Sequence, residues 1–155
     1  MMMSMWSFVE PLLEEAFFPA CAPTYNGGRL PNSVEQLTQA TLLRNDYSMW
    51  NDWFAQAGLP GQPEPCRGVL YQDASQQLQA TVDGQGIGLV RRSLAMQEIL
   101  SGNLVRLFEV DVVSSLQYWF VCPEPLHNSY RVRVLRQWLQ EEVRLFRSNF
   151  ESAGA

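Results

Sequence analysis

The stretch YQDASQQLQATVDGQGIGLVRRSLAMQEILSGNLVRLF (71–108) decides the fold of this chain. Its segment QQLQATVDG has apolar residues at helical spacing and ends in a glycine, whereas IGLV (87–90) is a short run typical of a buried strand. The segment RRSLAMQEILSG (91–102) predicts a second helix that also stops at a glycine, and LVRLFEV (104–110) predicts another strand. Strands that alternate with helices predict an α/β architecture around a largely parallel sheet.

The residues before this stretch repeat the same alternation. TLLRND (41–46) and GVLYQD (68–73) predict strands. Between them, MWNDWFAQA (49–57) predicts a helix for which Ser48 is the candidate N-cap. The aromatic residues of this helix fall on one face at helical spacing, so we expect them to pack in the core.

The first apolar residues of the chain predict two short strands, WSFVEPLL (6–13) and AFFPACA (16–22). We expect Glu14 and Glu15, which separate them, to form a tight acidic turn. Each run contains a proline, which cannot donate a hydrogen bond to a sheet ladder and therefore weakens the strand pattern.

The end of the chain predicts one more strand, LQYWFVC (116–122), and a long amphipathic helix from about residue 128 to residue 150. The predicted apolar stripe of this helix consists of Val132, Leu135, Trp138, Leu139, Val143 and Phe146. The arginines of the helix, Arg136 among them, are accompanied by glutamates, and we interpret them as a solvated face.

The composition indicates one globular domain and limits its partners. The chain has 155 residues, of which 46% are hydrophobic and 17% charged, and its net charge is −5. An acidic chain has no general attraction to phosphate backbones, so we expect any DNA contact to be made by residues outside this chain. No segment predicts a signal peptide or a membrane-spanning helix, and we expect a cytoplasmic protein without membrane contacts.

The order of the elements predicts two lobes of unequal completeness. Residues 24–113 hold a self-contained alternation of strands and helices, and we expect them to form a complete α/β lobe. Residues 1–23 and 114–150 flank this block. We expect these two flanks to supply the last strands and the C-terminal helix of a first lobe that is only partial.

Several blocks of the sequence resemble one known family. These blocks are EPLLEEAFFPACAP (10–23), LRNDYSMWNDWFAQAGLP (43–60), the stretch 71–108, YWFVCPEP (118–125) and VRVLRQWLQEEV (132–143). In them the chain resembles the C-terminal effector-binding domain of LysR-type transcriptional regulators. It is most similar to the branch that contains the glycine-cleavage activator and the β-lactamase-gene regulator. The chain departs from the family pattern at Val90 to Arg92, where many members have a proline.

The resemblance implies a fold, a ligand and partners. The fold is a type II periplasmic-binding-protein-like α/β domain with two lobes, and a small-molecule effector binds in the cleft between them. The resemblance implies no cofactor. It also implies that DNA is contacted only through a helix-turn-helix, for which this chain has no counterpart, as expected of an N-terminally truncated regulator. We further expect self-association into homo-oligomers, because a partial first lobe would expose strand edges and apolar faces.

Five residues are candidate effector contacts: Ser75, Tyr118, Asp73, Tyr25 and Asn45. The resemblance implies Ser75, at the start of a helix, and Tyr118, on the strand that returns to the first lobe. The residues alone leave alternatives open, since Ser75 could be a helix N-cap, Tyr118 a core aromatic, and Asp73 a side chain that fixes its loop. Asn45 ends a predicted parallel strand, at the side of the sheet where α/β proteins bind ligands.

Two other functions compete with effector sensing. A solute-binding protein of a transporter would share the lobed fold, but we find no secretion signal. An enzyme is disfavoured because the sequence shows no nucleophile–base pair, no metal-ligating cluster and no phosphate loop, so no catalytic or metal-binding residue is assigned. Gly84, Gly86 and Gly88 end a helix and enter a strand, whereas a dinucleotide-binding motif opens a helix after a strand.

Overall fold

The computed structural model describes residues 7–153, in which we find six strands, five α-helices and two short 3-10 helices, Tyr25–Gly28 and Glu124–Leu126. The strands are β1 (Ser7–Cys21), β2 (Leu42–Asn45), β3 (Leu70–Tyr71), β4 (Ile87–Arg91), β5 (Val105–Arg106) and β6 (Val112–Pro123). The helices are α1 (Val34–Leu37), α2 (Trp50–Gln56), α3 (Ala74–Val82), α4 (Arg92–Leu100) and α5 (Tyr130–Ala153). Strands and helices alternate from β2 to α4, which confirms the predicted α/β class.

The strands form one mixed sheet in the order β3–β2–β4–β1–β5, and β6 pairs with β1. β2 runs parallel to β3 on one side and to β4 on the other. β1 lies between β4 and β5 and runs antiparallel to both. The sheet is therefore less parallel than the sequence predicts, because one strand from outside the alternating block enters it in the opposite direction.

The first strand is a single continuous element, so the prediction of two strands joined by a turn is wrong. β1 contains 15 residues, and Glu14 and Glu15 lie inside it. Glu15 is buried, with only 4% of its surface exposed. Glycine, asparagine and aspartate most readily adopt the backbone conformations of a tight turn, and neither of these two positions holds one of them. The chain therefore stays extended through both glutamates.

The strand predicted at 104–110 is reduced to the two residues of β5. At the end of this strand, Arg106 Nε donates to the carbonyl oxygen of Phe108 at 2.8 Å, and Arg106 Nη2 donates to Asp111 Oδ1 at 2.7 Å. These local bonds fold the chain around the arginine and end the strand early. The next strand, β6, then begins at Val112, four residues before the predicted start.

The chain divides into two compact units. The larger unit is Ala16–Ser114, and the smaller one contains the residues up to Glu15 together with those from Ser115 onward. The predicted lobes, 24–113 and 1–23 with 114–150, differ from this division mainly at the first boundary. The difference arises because β1 is continuous and its second half belongs to the larger unit.

The core of the larger unit is built around the aromatic face of α2. Trp50, Trp53 and Phe54 are fully buried, which confirms the core role predicted for this helix. Both indole nitrogens have acceptors, since Trp50 Nε1 donates to the carbonyl oxygen of Leu43 and Trp53 Nε1 to that of Val110, each at 2.9 Å. The helix is thus fixed by apolar burial and by two directional hydrogen bonds to backbone on other elements.

Helix α3 lies close against β4 because residue 88 is a glycine. A Cβ atom added at Gly88 would lie 2.3 Å from Thr81 Oγ1 and 3.0 Å from Val90 Cγ1, which is too close for either atom to stay in place. Thr81 is fully buried, and its hydroxyl donates to the carbonyl oxygen of Gln77 at 2.8 Å. This close contact fixes α3, and therefore the residues at its start, relative to the sheet.

In the smaller unit, β1 and α5 are joined by an ion pair between Glu10 and Arg136. Arg136 Nε lies 2.9 Å and 3.1 Å from the two carboxylate oxygens, and its Nη2 also donates to Glu10 Oε2. Gln140 Nε2 donates to the same carboxylate at 2.8 Å, and the Arg136 guanidinium lies 5.3 Å from the ring centre of Phe8. The interpretation of Arg136 as part of a solvated face is therefore wrong.

Helix α5 buries a different stripe from the predicted one. Val132, Leu139, Val143 and Phe146 are half-buried, as predicted. The other two predicted members, Leu135 and Trp138, are 49% and 57% exposed. The buried face includes position 136, where the arginine binds Glu10, and this pairing turns Leu135 and Trp138 outward. Across residues 7–153, no helix combines the length and the apolar character that crossing a bilayer requires.

We expect Glu10→Gln to destabilise the chain at neutral pH and to have little effect in acid. Hydrogen bonds from Arg136 hold the pKa of Glu10 below its ordinary value of 4.5. The stabilisation is therefore fully present above pH 4.5 and is lost as the pH falls through the lowered pKa of the folded state. The measurement is the urea midpoint of unfolding for wild type and variant, at about pH 7 and about pH 3.

The matched control is Glu142→Gln, which removes the same charge from an exposed position on α5. We expect this control to leave the midpoint unchanged at both pH values. A Glu10→Gln effect of equal size in acid and at neutrality would show that the ion pair does not stabilise the fold.

Candidate ligand-binding site

Three parallel strands bring polar residues to one edge of the larger unit. β2, β3 and β4 run in the same direction, so their last residues, Asn45, Tyr71 and Arg91, lie at the same side of the sheet. From this edge the chain continues into α2, α3 and α4. The carboxyl ends of parallel strands are where α/β sheets bind ligands, and the candidate site is assembled here.

Asn45 forms the turn that follows β2. Its Oδ1 accepts hydrogen bonds from the backbone nitrogens of Tyr47 at 3.1 Å and Ser48 at 2.6 Å, and from Ser48 Oγ at 2.8 Å. Asn45 is only 4% exposed, and its Nδ2 has no hydrogen-bond partner among residues 7–153. The hydroxyl of Ser48 thus binds Asn45, and Met49 rather than Ser48 is the N-cap residue of α2.

Asp73 and Ser75 lie at the start of α3, where the capping residue is Asp73. Asp73 Oδ1 accepts from the backbone nitrogens of Ser75 at 2.8 Å and Gln76 at 3.1 Å. Asp73 therefore has a structural role, which the residues alone had left open, and the interpretation of Ser75 as the N-cap is wrong. Ser75 is exposed, and within residues 7–153 its hydroxyl makes no hydrogen bond. The side chain of Ser75 therefore remains available for a ligand.

Tyr25 lies at the opposite end of β2 from Asn45. Its hydroxyl oxygen is 3.4 Å from the backbone nitrogen of Thr41, the residue that precedes β2. There it lines a polar pocket of about 350 Å³ together with Asn26, Arg29, Pro31, Gln36, Gln39, Ala40 and Thr41. The structure therefore brings Asn45, Asp73 and Ser75 to one edge of the larger unit and places Tyr25 at the other end of the sheet.

Tyr118 belongs to the smaller unit. It lies on β6 and is 39% exposed. Side chains alternate along a strand, so Tyr118 shares its face with Phe120 and Cys122, and Trp119 points to the other face. Phe120 and Cys122 are buried, with 8% exposed each, so Tyr118 lies at the solvent-exposed end of a face that is otherwise buried.

We call the edge formed by the last residues of β2, β3 and β4 the carboxyl edge. Sequence reasoning missed a second layer of polar side chains there. The hydroxyl of Tyr47 and Gln77 Oε1 are 3.1 Å apart, and Gln77 Nε2 donates to the carbonyl oxygen of Leu43 at 3.3 Å. Burial raises the pKa of Tyr47 to about 12, so this phenol remains protonated and donates its hydrogen. Gln77, which is 1% exposed, therefore ties the Tyr47 loop to the sheet.

Arg91 was also missed, although the sequence contained a signal for it. Its guanidinium carbon lies 5.3 Å from the ring centre of Tyr47 and 5.9 Å from that of Phe17. Arg91 Nε is buried and has no hydrogen-bond partner among residues 7–153. A basic residue directly after the buried strand IGLV places a cation at the carboxyl edge, and this position could have been read from the sequence.

The three cysteines lie apart from the candidate site or are buried. Cys21 and Cys122 are buried and unpaired, and burial raises the pKa of Cys21 to about 11. Cys66 is exposed and lines a pocket of about 560 Å³ near the start of β2. Among residues 7–153, no group of three metal-ligating side chains comes together.

The chain matches the family model described as the LysR substrate binding domain over residues 8–144. It is 30% identical over 133 residues to the glycine cleavage system transcriptional activator of Escherichia coli strain K12. That alignment covers 84% of this chain and 43% of the activator, so the chain spans less than half the length of this relative.

Two solved structures share the fold. The effector domain of the transcriptional regulator AmpR of Pseudomonas aeruginosa matches with a TM-score of 0.72 and 24% identity, over 92% of this chain and 68% of that one. A Citrobacter freundii effector binding domain that carries substitutions of a threonine, a serine and a tyrosine matches with a TM-score of 0.66 and 16% identity. That match covers 91% of this chain and 70% of the other. These matches confirm the predicted type of fold.

We expect Asp73→Ala to lower the free energy of unfolding by about 1 kcal/mol, because the backbone nitrogens of Ser75 and Gln76 lose their acceptor. Asp73→Asn keeps an oxygen in the same place and should cost only a few tenths of a kcal/mol. Urea denaturation of the two variants and the wild type measures both changes. If the asparagine variant loses as much stability as the alanine variant, the charge of Asp73 rather than its capping bonds is what stabilises α3.

Proposed function

The chain belongs to the LysR substrate-binding domain family, and on that premise we propose that it senses a small-molecule effector for a transcriptional regulator. The observation that supports this function best is the carboxyl edge of the larger unit, along which Asn45, Asp73 and Ser75 all lie, in a domain of this family. An effector that binds one conformation more tightly than another would shift the balance between them. The relatives are regulators, which disfavours the alternative of a transporter's solute-binding protein.

We propose that Ser75 and Tyr118 both contact the effector. In the Citrobacter freundii domain, the substituted serine and tyrosine are separated by the same number of residues as Ser75 and Tyr118. This shared interval supports equivalent positions for the two hydroxyls, each of which can donate and accept a hydrogen bond. Asp73 and Asn45 would shape the same edge around Ser75. The hydrogen bond of Tyr25 to Thr41 favours a structural role for that tyrosine.

The regulatory output is proposed to come from a longer protein. One relative is described as an HTH-type transcriptional regulator, and this chain covers 46% of it. A net charge of −5 gives the chain no general electrostatic attraction to phosphate backbones. DNA contact would then come from residues outside this chain, and the protein would work in the bacterial cytoplasm, where the DNA lies.

We also propose that the chain associates with a second copy through the smaller unit. Trp119 and Val121 on β6 are 45% and 53% exposed, and Val134 and Trp138 on α5 are 45% and 57% exposed. Several large apolar side chains that stay exposed on one unit favour a protein contact there. The occupant would be another copy of the chain, because regulators of symmetric operator sites are commonly homo-oligomers.

The effector proposal predicts that a ligand raises the thermal midpoint of the protein. Glycine, the other protein amino acids, small organic acids and cell-wall peptides are the probes for a thermal-shift screen. A ligand at about 100 times its Kd should stabilise the fold by about 2.7 kcal/mol. Ser75→Ala and Tyr118→Phe should each weaken binding of the best probe roughly tenfold, because each removes one hydrogen-bonding hydroxyl.

The matched controls are Ser152→Ala and Tyr130→Phe, which remove the same hydroxyls from exposed positions on α5. We expect both to bind like the wild type. The proposed contacts are refuted if the controls and the site variants lose affinity equally, and the proposed function is refuted if no probe stabilises the wild type.

If the chain self-associates, its sedimentation coefficient should rise with protein concentration. Trp138→Gln should weaken the contact and therefore lower the sedimentation coefficient at a given concentration. Exposed apolar anchors of this size contribute about 2 kcal/mol or more when they are central to an interface. The stability of the variant should be close to that of the wild type, since the indole is more than half exposed. A wild-type chain that sediments as a monomer at all concentrations would contradict the proposal.

A further inference from the structure

We propose that Arg91 anchors a carboxylate of the effector, so that the domain selects small monocarboxylates over neutral ligands. This inference rests on the proposed function and deepens it, because it names the chemical class of the ligand and the residue that recognises it. The geometry around the guanidinium, compared with that around two other arginines of the chain, supports the assignment.

Arg91 lies where a ligand at the carboxyl edge would meet it. It is the last residue of β4, which runs parallel to β2, so Arg91 and Asn45 end neighbouring strands at the same side of the sheet. Arg91 is also the N-cap residue of α4, and its side chain makes no capping hydrogen bond. The start of this nine-residue helix carries a partial positive charge, which adds to the attraction of an anion.

The guanidinium is held in place before any ligand arrives. It lies over the rings of Tyr47 and Phe17, at 5.3 Å and 5.9 Å from their centres. Phe17 is the partner of Arg91 in the β1–β4 ladder, and the Tyr47 hydroxyl is bound to Gln77. Both rings are therefore fixed, and an arginine stacked on fixed rings loses little side-chain entropy when it binds a carboxylate.

Two other arginines also lie over aromatic rings, and each of them forms an ion pair with a carboxylate of the chain. The guanidinium of Arg106 lies 4.7 Å from the ring centre of Phe18, and its Nη2 is 2.7 Å from Asp111 Oδ1. Arg136 lies over Phe8 and binds both carboxylate oxygens of Glu10. In each case a ring covers the guanidinium and a carboxylate accepts from its nitrogens.

Arg91 has the ring contacts without the carboxylate. Within residues 7–153 it forms no ion pair, and its buried Nε has no acceptor. A buried N–H donor without an acceptor lowers stability, and such a group in a native fold calls for an explanation. A carboxylate from a ligand would supply the acceptor, and the planar guanidinium matches its two oxygens.

The surrounding charges favour a ligand with a single carboxylate. Asp46 directly follows β2, and Asp73 caps the start of α3, so two carboxylates of the chain lie at the edge where Arg91 ends β4. A second carboxylate on the ligand would be repelled by them, whereas an ammonium or neutral group would be accepted.

Titration of isotopically labelled protein with acetate, acetamide and succinate, followed by NMR, tests the charge preference. Acetate and acetamide have nearly the same shape and differ in charge, so their Kd ratio isolates the contribution of the carboxylate. We expect acetate to bind at least tenfold more tightly than acetamide and to shift the Nε–H resonance of Arg91. We expect succinate to bind more weakly than acetate.

The variant Arg91→Gln separates recognition from a structural role. It should weaken acetate binding about tenfold or more and leave acetamide binding unchanged, so that the Kd ratio approaches one. Arg91→Lys retains the charge without the planar fork and should recover part of the preference. The control Arg133→Gln removes an exposed arginine from α5 and should preserve the wild-type ratio.

The outcomes distinguish this inference from the function on which it rests. A ratio that stays at its wild-type value in Arg91→Gln, or equal weakening of acetate and acetamide, overturns the role of Arg91 and leaves effector sensing intact. A wild type that binds probes of the thermal-shift screen without preferring acetate to acetamide overturns the inference in the same way. A wild type that binds no probe at all overturns both proposals.

Discussion

The parallel pairing of β2 with β4 is the constraint on which the candidate site depends. Leu42 lies opposite Ile87 and Leu43 opposite Gly88, and this register brings the ends of the two strands to one edge. Side chains alternate along a strand, so a slip of one residue would exchange the core face of β2 for the opposite one. The buried position of Asn45 and the placement of its turn would then be lost together.

The local elements of the larger unit could be predicted from the sequence because their signals are local. IGLV forms β4, the aromatic helix α2 packs in the core, and the glycine after α3 ends it, as the periodicity indicates. The family could also be recognised, since blocks along most of the chain carry its pattern. Each of these features depends on residues about ten positions apart or less in the sequence, and periodicity analysis uses windows of about that length.

The features that the sequence did not reveal depend on contacts between distant residues. Glu14 and Glu15 are polar and resemble a turn, but both lie inside β1, where the fold buries Glu15. The turned-out positions on α5 follow from the pairing of Arg136 with a glutamate 126 positions earlier. The stacking of Arg91 on Tyr47 and Phe17 likewise requires three separate elements to meet. The residue types alone do not specify such contacts between distant parts of the chain.

The contact between Gly88 and Thr81 has a consequence for how this sequence can evolve. An alanine at position 88 would collide with the threonine hydroxyl and crowd Val90, whereas an alanine at position 81 removes only that hydroxyl and its bond to Gln77. The cost of an alanine at position 88 therefore depends on whether the threonine is present. A lineage that reaches alanine at both positions has an easier path through the loss of the hydroxyl first.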